Sequence, residues 1–291
     1  MAVMDAIPYI LVQLAAGCLA GVTYAAIYAG GDVSPSPLGP VNESTWGQVA
    51  TAEIIFTFVL CLVVLGTAVM PQTKSQVMFG LAIGSCVTVG GFAIGGISGG
   101  SLNPAVSFGI AAADGFTHMG PACYYGLFEI VGAIIAVVLI MATHPKNAPA
   151  GPSMMSKCAA EFAGTFLLVF TVGCNVLGGD TGWAGVSIGC MLMVAIYTFG
   201  DISGGNFNPA VSISLGIIKA MDFKDVVIYC VVQIIAGIAA AFTYSSLLFK
   251  DPHALDAQPS AGFSLVSAAS CEALYTFMLC FVVLNVAAAK K

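Results

Sequence analysis

The sequence predicts an all-α integral membrane protein with about eight transmembrane helices plus two re-entrant half-helices, and three observations predict it. Hydrophobic residues make up 59% of the 291 and charged residues only 8%, more apolar side chain than a water-soluble chain of this length can bury. Eight apolar segments reach bilayer length, at roughly 7–28, 48–70, 77–97, 120–142, 158–177, 183–200, 226–249 and 264–288. Finally, Ile97-Ser98-Gly99-Gly100-Ser101-Leu102-Asn103-Pro104-Ala105-Val106-Ser107 recurs as Ile202-Ser203-Gly204-Gly205-Asn206-Phe207-Asn208-Pro209-Ala210-Val211-Ser212. Each copy follows a span and leads into an apolar segment, 103–113 or 208–219, too short to cross a bilayer.

Taken in order, the first span opens Ile7-Pro8-Tyr9 without a small-residue cleavage pattern, and so reads as a span rather than a signal peptide. Ala15-Ala16-Gly17 on it, like Ala236-Gly237 later, offers a small-residue face for close helix packing. The connection 29–47 lacks lysine, is rich in Gly and Pro, and holds Asn42-Glu43-Ser44, which matches a glycosylation acceptor. Span 48–70 carries Glu53, Thr57 and Phe58, a spacing repeated at Glu161/Thr165/Phe166 and Glu272/Thr276/Phe277. A Tyr precedes an amide or acid by four residues at Tyr9/Gln13, Tyr125/Glu129 and Tyr229/Gln233. In each Asn-Pro-Ala box the Asn is a helix N-cap and the Pro takes the first helical position. The glycines ahead of the box allow a tight turn. The connection 143–157, with Pro145, Pro149 and Pro152, reads as a linker.

These landmarks define a unit of three spans and one half-helix. Residues 48–142 and 158–249 are full units, 1–47 holds an extra Tyr-type span with its loop, and 250–291 an extra Glu-type span. Three is odd, so successive units run in opposite directions through the membrane, an arrangement used around midplane sites. There are eight lysines and no arginine. Lys74, Lys146, Lys157, Lys219, Lys224, Lys290 and Lys291 fall in even-numbered connections or the tail, and only Lys250 in an odd one. That bias places the even connections and both termini in the cytoplasm. The two boxes then enter from opposite faces. No catalytic set, phosphate loop or metal-ligand spacing appears, and the ten cysteines are scattered as free thiols, so neither enzyme nor cofactor is expected. The net charge of -6 is too thinly spread to argue for nucleic acid.

The paired Asn-Pro-Ala boxes, each preceded by Ser-Gly-Gly, together with the Glu-x-x-x-Thr-Phe spans, resemble the aquaporin (major intrinsic protein) family over nearly the whole chain. The order is unusual. Residues 158–249, with Gly200-Asp201-Ile202-Ser203-Gly204-Gly205, look like the family's first half, and 48–142, with Gly95-Gly96-Ile97-Ser98, like its second. The chain thus reads as a piece of a tandem fusion, in preference to one circularly permuted pore with two added spans.

The resemblance implies a passive channel for water and small neutral solutes in a lipid bilayer, assembled as a homo-tetramer. Asn103, Pro104, Ala105, Asn208, Pro209 and Ala210 would form the pore centre, where two helix N-termini repel cations. The family's constriction carries an arginine directly after the second-half box, where this chain has Val106; the other constriction positions fall on Gly91, Gly100 and Ile188. An apolar, wide filter points to glycerol, urea or ammonia. Glu53, Glu161 and Glu272 are read as structural buried acids that accept from loop N–H groups, in preference to a proton relay. The competing functional readings are a non-conducting scaffold or partial fragment of a tandem channel, and an ion-coupled inverted-repeat transporter.

Overall fold

In a computed structural model the described residues are 3–29, 37–144, 151–178, 182–249, 258–259 and 262–288. The expectations that rest on 30–36, 145–150 and 250–257, and on Lys290 and Lys291, lie outside them. Ten α-helices follow in order: α1 (Val3–Tyr28), α2 (Trp46–Val64), α3 (Phe79–Ser98), α4 (Pro104–Ala113), α5 (Met119–Thr143), α6 (Met154–Leu177), α7 (Ala184–Ser203), α8 (Pro209–Ile217), α9 (Phe223–Phe242) and α10 (Leu265–Val283). Eight are long and apolar enough to cross a membrane, and α4 and α8 are the two short ones. The chain is a multi-pass integral membrane protein.

Local chemistry sets the ends. Thr45 starts α2 through a capping box, its N–H donating to Gln48 Oε1 at 2.7 Å while its hydroxyl accepts from Gln48 N–H at 3.4 Å. Ser153 caps α6 by accepting from Ser156 N–H at 3.1 Å, which starts that helix at Met154, ahead of the predicted 158. Helices α3 and α7 stop at Gly99 (φ 83°) and Gly204 (φ 96°), a left-handed conformation that suits glycine. The predicted spans 48–70, 226–249 and 264–288 each finish in a wider π turn, at Leu65–Val69, Thr243–Phe249 and Leu284–Ala288. Hydrophobicity does not encode that loosening.

Helices α2, α3 and α5 form one unit with α4, and α6, α7 and α9 form another with α8. The two units meet through α3 against α7, flanked by α2 and α6. Their shared core holds Phe56, Leu62, Ile94, Phe170, Met191 and Phe199, all buried. Polar ties cross the same seam. Asn175 Nδ2 donates to Ser187 Oγ at 3.0 Å, and Ser187 Oγ donates to the Val89 carbonyl at 3.3 Å. His144 Nε2 lies 3.1 Å from the Thr198 carbonyl and 3.2 Å from Thr73 Oγ1. Burial pushes the His144 imidazole below its ordinary value. Gln48 Nε2 donates to the Leu248 carbonyl.

The first and last spans lie outside this core. Helix α1 rests on α4, where a Cβ at Gly17 would fall 2.1 Å from the Ala105 carbonyl oxygen and one at Gly21 1.9 Å from that of Gly109. Only glycine permits that approach. Gly237, by contrast, has just ordinary contact space, 4.0 Å from Val169, although Ala236 beside it is buried. Helix α10 packs mainly against α8 and buries none of its residues.

Candidate functional site

The two boxes are held by nearly superimposable sets of hydrogen bonds. In the first unit Glu53, buried on α2, accepts from Ser98 Oγ (2.6 Å) and Ser101 N–H (3.1 Å) on Oε1, and from Leu102 N–H (2.9 Å) on Oε2. In the second, Glu161 on α6 accepts from Ser203 Oγ (2.6 Å) and Asn206 N–H (3.0 Å) on Oε1, and from Phe207 N–H (2.8 Å) on Oε2. Tyr125 and Tyr229 donate to the Ser98 and Ser203 carbonyls at 2.7 Å each. A loop entering the bilayer has no water to satisfy its backbone. One carboxylate per box supplies the acceptors, and charge-assisted bonds are the strong kind.

The loops need that support because their backbone is strained. Leu102 (φ 58°) and Phe207 (φ 51°) are non-glycine residues in the left-handed region, each following two glycines at positive φ. Such a residue costs on the order of 1–3 kcal/mol. Both side chains are buried in niches floored by glycine. A Cβ at Gly90 would stand 2.6 Å from Leu102, and one at Gly164 2.2 Å from the Phe207 ring. The chain then turns into a helix at each box. Asn103 Oδ1 accepts from Ala105 N–H at 2.9 Å, and Asn208 Oδ1 from Ala210 N–H at 2.8 Å. Among the described residues neither Asn Nδ2 has a protein partner, which leaves both as donors to a passing oxygen.

The boxes enter from opposite faces. Asn42 Nδ2 donates to the Gly96 carbonyl (3.2 Å) and Tyr125 OH to that of Gly39 (3.1 Å), which puts the loop before α2 beside the first box. The second box opens on the other face, in a cavity of about 390 Å³ shared by Lys157, Asn206, Lys219, Asp222 and Asp225. Lys74 belongs to that face too, since its neighbour Thr73 contacts His144 at the end of α5.

Within one chain the structure does not bring the predicted site residues into one lumen. Helices α4 and α8 are not a packed pair, and both lie away from the α3–α7 seam. Asn103 is exposed and Asn208 partly so. With Pro104, Asn103 borders a cavity of about 490 Å³ beside Gln13 and Gly126. Val106, 45% exposed, lines a cavity of about 770 Å³ between α1 and α4 with Gln13, Gly17 and Asn103. Gly91 and Gly100 adjoin, a Cβ on Gly100 falling 3.7 Å from Gly91 Cα, while a Cβ on Gly91 would meet nothing within 4 Å. Ile188 is half-buried on α7, in the other unit. Pro209 and Ala210 start α8 beside α9, where Cys230 lies under the Pro209 carbonyl.

One acid differs from its reading. Glu272 is exposed on α10, because no box loop folds back onto that helix among the described residues. Tyr9 is likewise exposed, and Gln13 faces a cavity. Sequence reasoning passed over Ser98, Ser107, Ser203 and Ser212, the hydroxyls that link each box to its acid and to α5 or α9. The signal was present, since each serine recurs at the same offset from its Asn-Pro-Ala.

The family model described as Major intrinsic protein matches the chain twice, over residues 1–137 and 149–291. The two matches part over residues 138–148, which fits a tandem arrangement. Glycerol uptake facilitator protein-like 6 of Lactiplantibacillus plantarum is 36% identical over 137 residues, 45% of this chain and 63% of that protein. Aquaporin NIP1-4 of Oryza sativa subsp. japonica is 31% identical over 230 residues, 74% of this chain and 82% of that protein. Nodulin-26 of Glycine max is 27% identical over 237 residues, 77% and 86% respectively. No solved structure matches the chain.

Proposed function

The chain belongs to the major intrinsic protein family, whose members are passive channels for water and small solutes, and from that premise we propose that it passes small neutral molecules of the glycerol, urea or ammonia class. The observation that carries this reading is Val106 directly after the first box, in a chain without a single arginine. A constriction arginine narrows a pore and fixes donors in it; Val106 is exposed in a cavity and contributes neither. Gly91 and Gly100, which adjoin each other, carry no Cβ, which favours width. A relative named as a glycerol uptake facilitator points the same way.

The boxes supply the selectivity against ions. Each half-helix places roughly +0.5 charge at its N-terminus, at membrane depth. A cation meets that field while Asn103 or Asn208 donates to a neutral solute. The lysines favour a cytoplasmic face carrying 71–76 and 151–157, with both termini on that side.

One observation favours a tandem reading over a single permuted pore. The α3–α7 core separates α4 from α8, so the chain contributes half-sets to two pores rather than closing one. Each pore is then completed by a further half-set from outside residues 1–291, and family resemblance implies a tetramer. Liposome swelling, followed by stopped-flow light scattering, tests the proposal. Entry of glycerol or urea through an oligomeric species, faster than in empty liposomes, is the expected outcome. Swelling that matches empty liposomes for every solute would favour a non-conducting scaffold, and flux that requires a proton or sodium gradient would favour a coupled transporter.

A further inference from the structure

The two units differ at one buried atom. In the second unit Gln233 Nε2 donates to Glu161 Oε2 at 2.8 Å, while Gln233 Oε1 faces Ser212 Oγ at 3.4 Å. In the first unit the same place on α5 is Glu129, 1% exposed, whose Oε1 accepts from Ser107 Oγ at 2.8 Å. Its Oε2, the counterpart of the donating amide nitrogen, is buried with no partner. The hydroxyl and N–H donors that serve Glu53 and Glu129 Oε1 are already committed. Ser98 Oγ and the Ser101 and Leu102 N–H groups all point at Glu53, and the one hydroxyl proton of Ser107 goes to Glu129 Oε1, with Ser101 Oγ 2.6 Å behind it.

We propose that Glu129 Oε2 binds a proton and donates it to Glu53, so that an acid–carboxylate pair holds the first box where an amide–carboxylate pair holds the second. The matching pair in the second unit stands 2.8 Å apart, and by that correspondence the unpartnered Glu129 Oε2 is turned toward Glu53; two buried carboxylates so placed do not both ionise but share one proton. Glu53, which accepts from one hydroxyl and two backbone N–H groups across both oxygens, keeps the charge; Glu129, whose Oε2 accepts from nothing, takes the proton. The other titratable groups near Glu129 are Cys61 on α2 and Tyr125 on its own helix, while α4 carries none. The Glu161 and Asp225 carboxylates bear instead on Tyr229, in the other unit. The site binds a proton and no larger ligand, and it makes the first box sensitive to alkali while the second is not. On deprotonation the proton leaves to bulk base, the Glu129–Glu53 bond is lost, and two like charges face each other under α4. This assignment does not depend on which solute the channel passes.

Infrared spectroscopy of the full chain in lipid reads the proton directly. Near neutral pH the wild type should show a carboxylic-acid C=O band that Glu129→Gln abolishes. Glu129→Gln copies the residue of the sister unit and so keeps the box folded. Gln233→Glu should add a second such band. As the pH is raised, the wild-type band should fade together with its thermal midpoint, while the midpoint of Glu129→Gln stays flat. A wild type without the band near neutral pH, a band that survives Glu129→Gln, or a Gln233→Glu variant that gains only carboxylate absorption would each overturn the assignment.

Discussion

Replacing Glu161 by Ala tests the mechanics of the box most severely. The substitution leaves the Asn206 and Phe207 N–H groups, the Ser203 hydroxyl and one Gln233 N–H without their acceptor. Each stranded buried N–H costs about 1–3 kcal/mol, so the two backbone groups alone cost about 2–6 kcal/mol. Phe207, at φ 51°, then loses the acceptor that anchors its left-handed backbone against a strain of roughly 1–3 kcal/mol. The loop should relax, and α8 should lose its position at membrane depth. Thermal unfolding in lipid nanodiscs should show a clear drop in midpoint, accompanied by loss of solute flux. Glu272→Ala is the matched control, an acid of the same motif that is exposed on α10, and it should leave both readouts unchanged. If Glu161→Ala behaved like Glu272→Ala, the carboxylate would not be what holds the box.

Further outcomes follow from other contacts. Gly17→Leu should pry α1 off α4, since even its Cβ falls 2.1 Å from the Ala105 oxygen; a cysteine placed at Val106 should then react faster with thiol reagents. The depressed His144 imidazole fixes the sign of a pH effect. Both states are neutral above about 6.5, and below it the unfolded chain takes up the proton first, so stability at the α5–α7 junction should fall as pH drops through that value. In His144→Gln the thermal midpoint should lose that slope. Single cysteines introduced at 71–76 and 151–157 should label from one side of the membrane, and those at 37–45 and 114–118 from the other.

Much of this was legible because the apolar runs and caps are local. Asn103 and Asn208 cap their helices from the sequence positions that name them, and Ser-Gly-Gly marks both turns. The Glu-x-x-x-Thr-Phe repeat pointed to Glu53 and Glu161 as one pair of equivalents, but gave Glu272 the same spelling without the same surroundings. Burial of an acid depends on a loop arriving from elsewhere, and a motif carries no such information. The separation of the two boxes was visible only in the unit order that reads as a tandem piece, not in any residue. It depends on which faces of α3 and α7 meet, and those faces are as apolar as the ones that meet lipid. The closeness of α1 to α4 was half visible in Ala15-Ala16-Gly17, whereas the glycine at 109 opposite it carried no signal of its own.

The most direct test of the arginine-free constriction is the ratio of glycerol to water permeability in Val106→Arg liposomes, read beside Val211→Arg. Val106 is 45% exposed and faces a cavity, so an arginine there should fold and narrow the path; Val211 is 2% exposed, so an arginine there buries an unpaired charge and should depress folding instead. An added barrier of about 1.4 kcal/mol for glycerol lowers its flux about tenfold. The account predicts a fall of that order in the glycerol-to-water ratio for Val106→Arg, with water flux largely kept. An unchanged ratio in well-folded Val106→Arg, or a narrowed ratio in Val211→Arg alone, would contradict it.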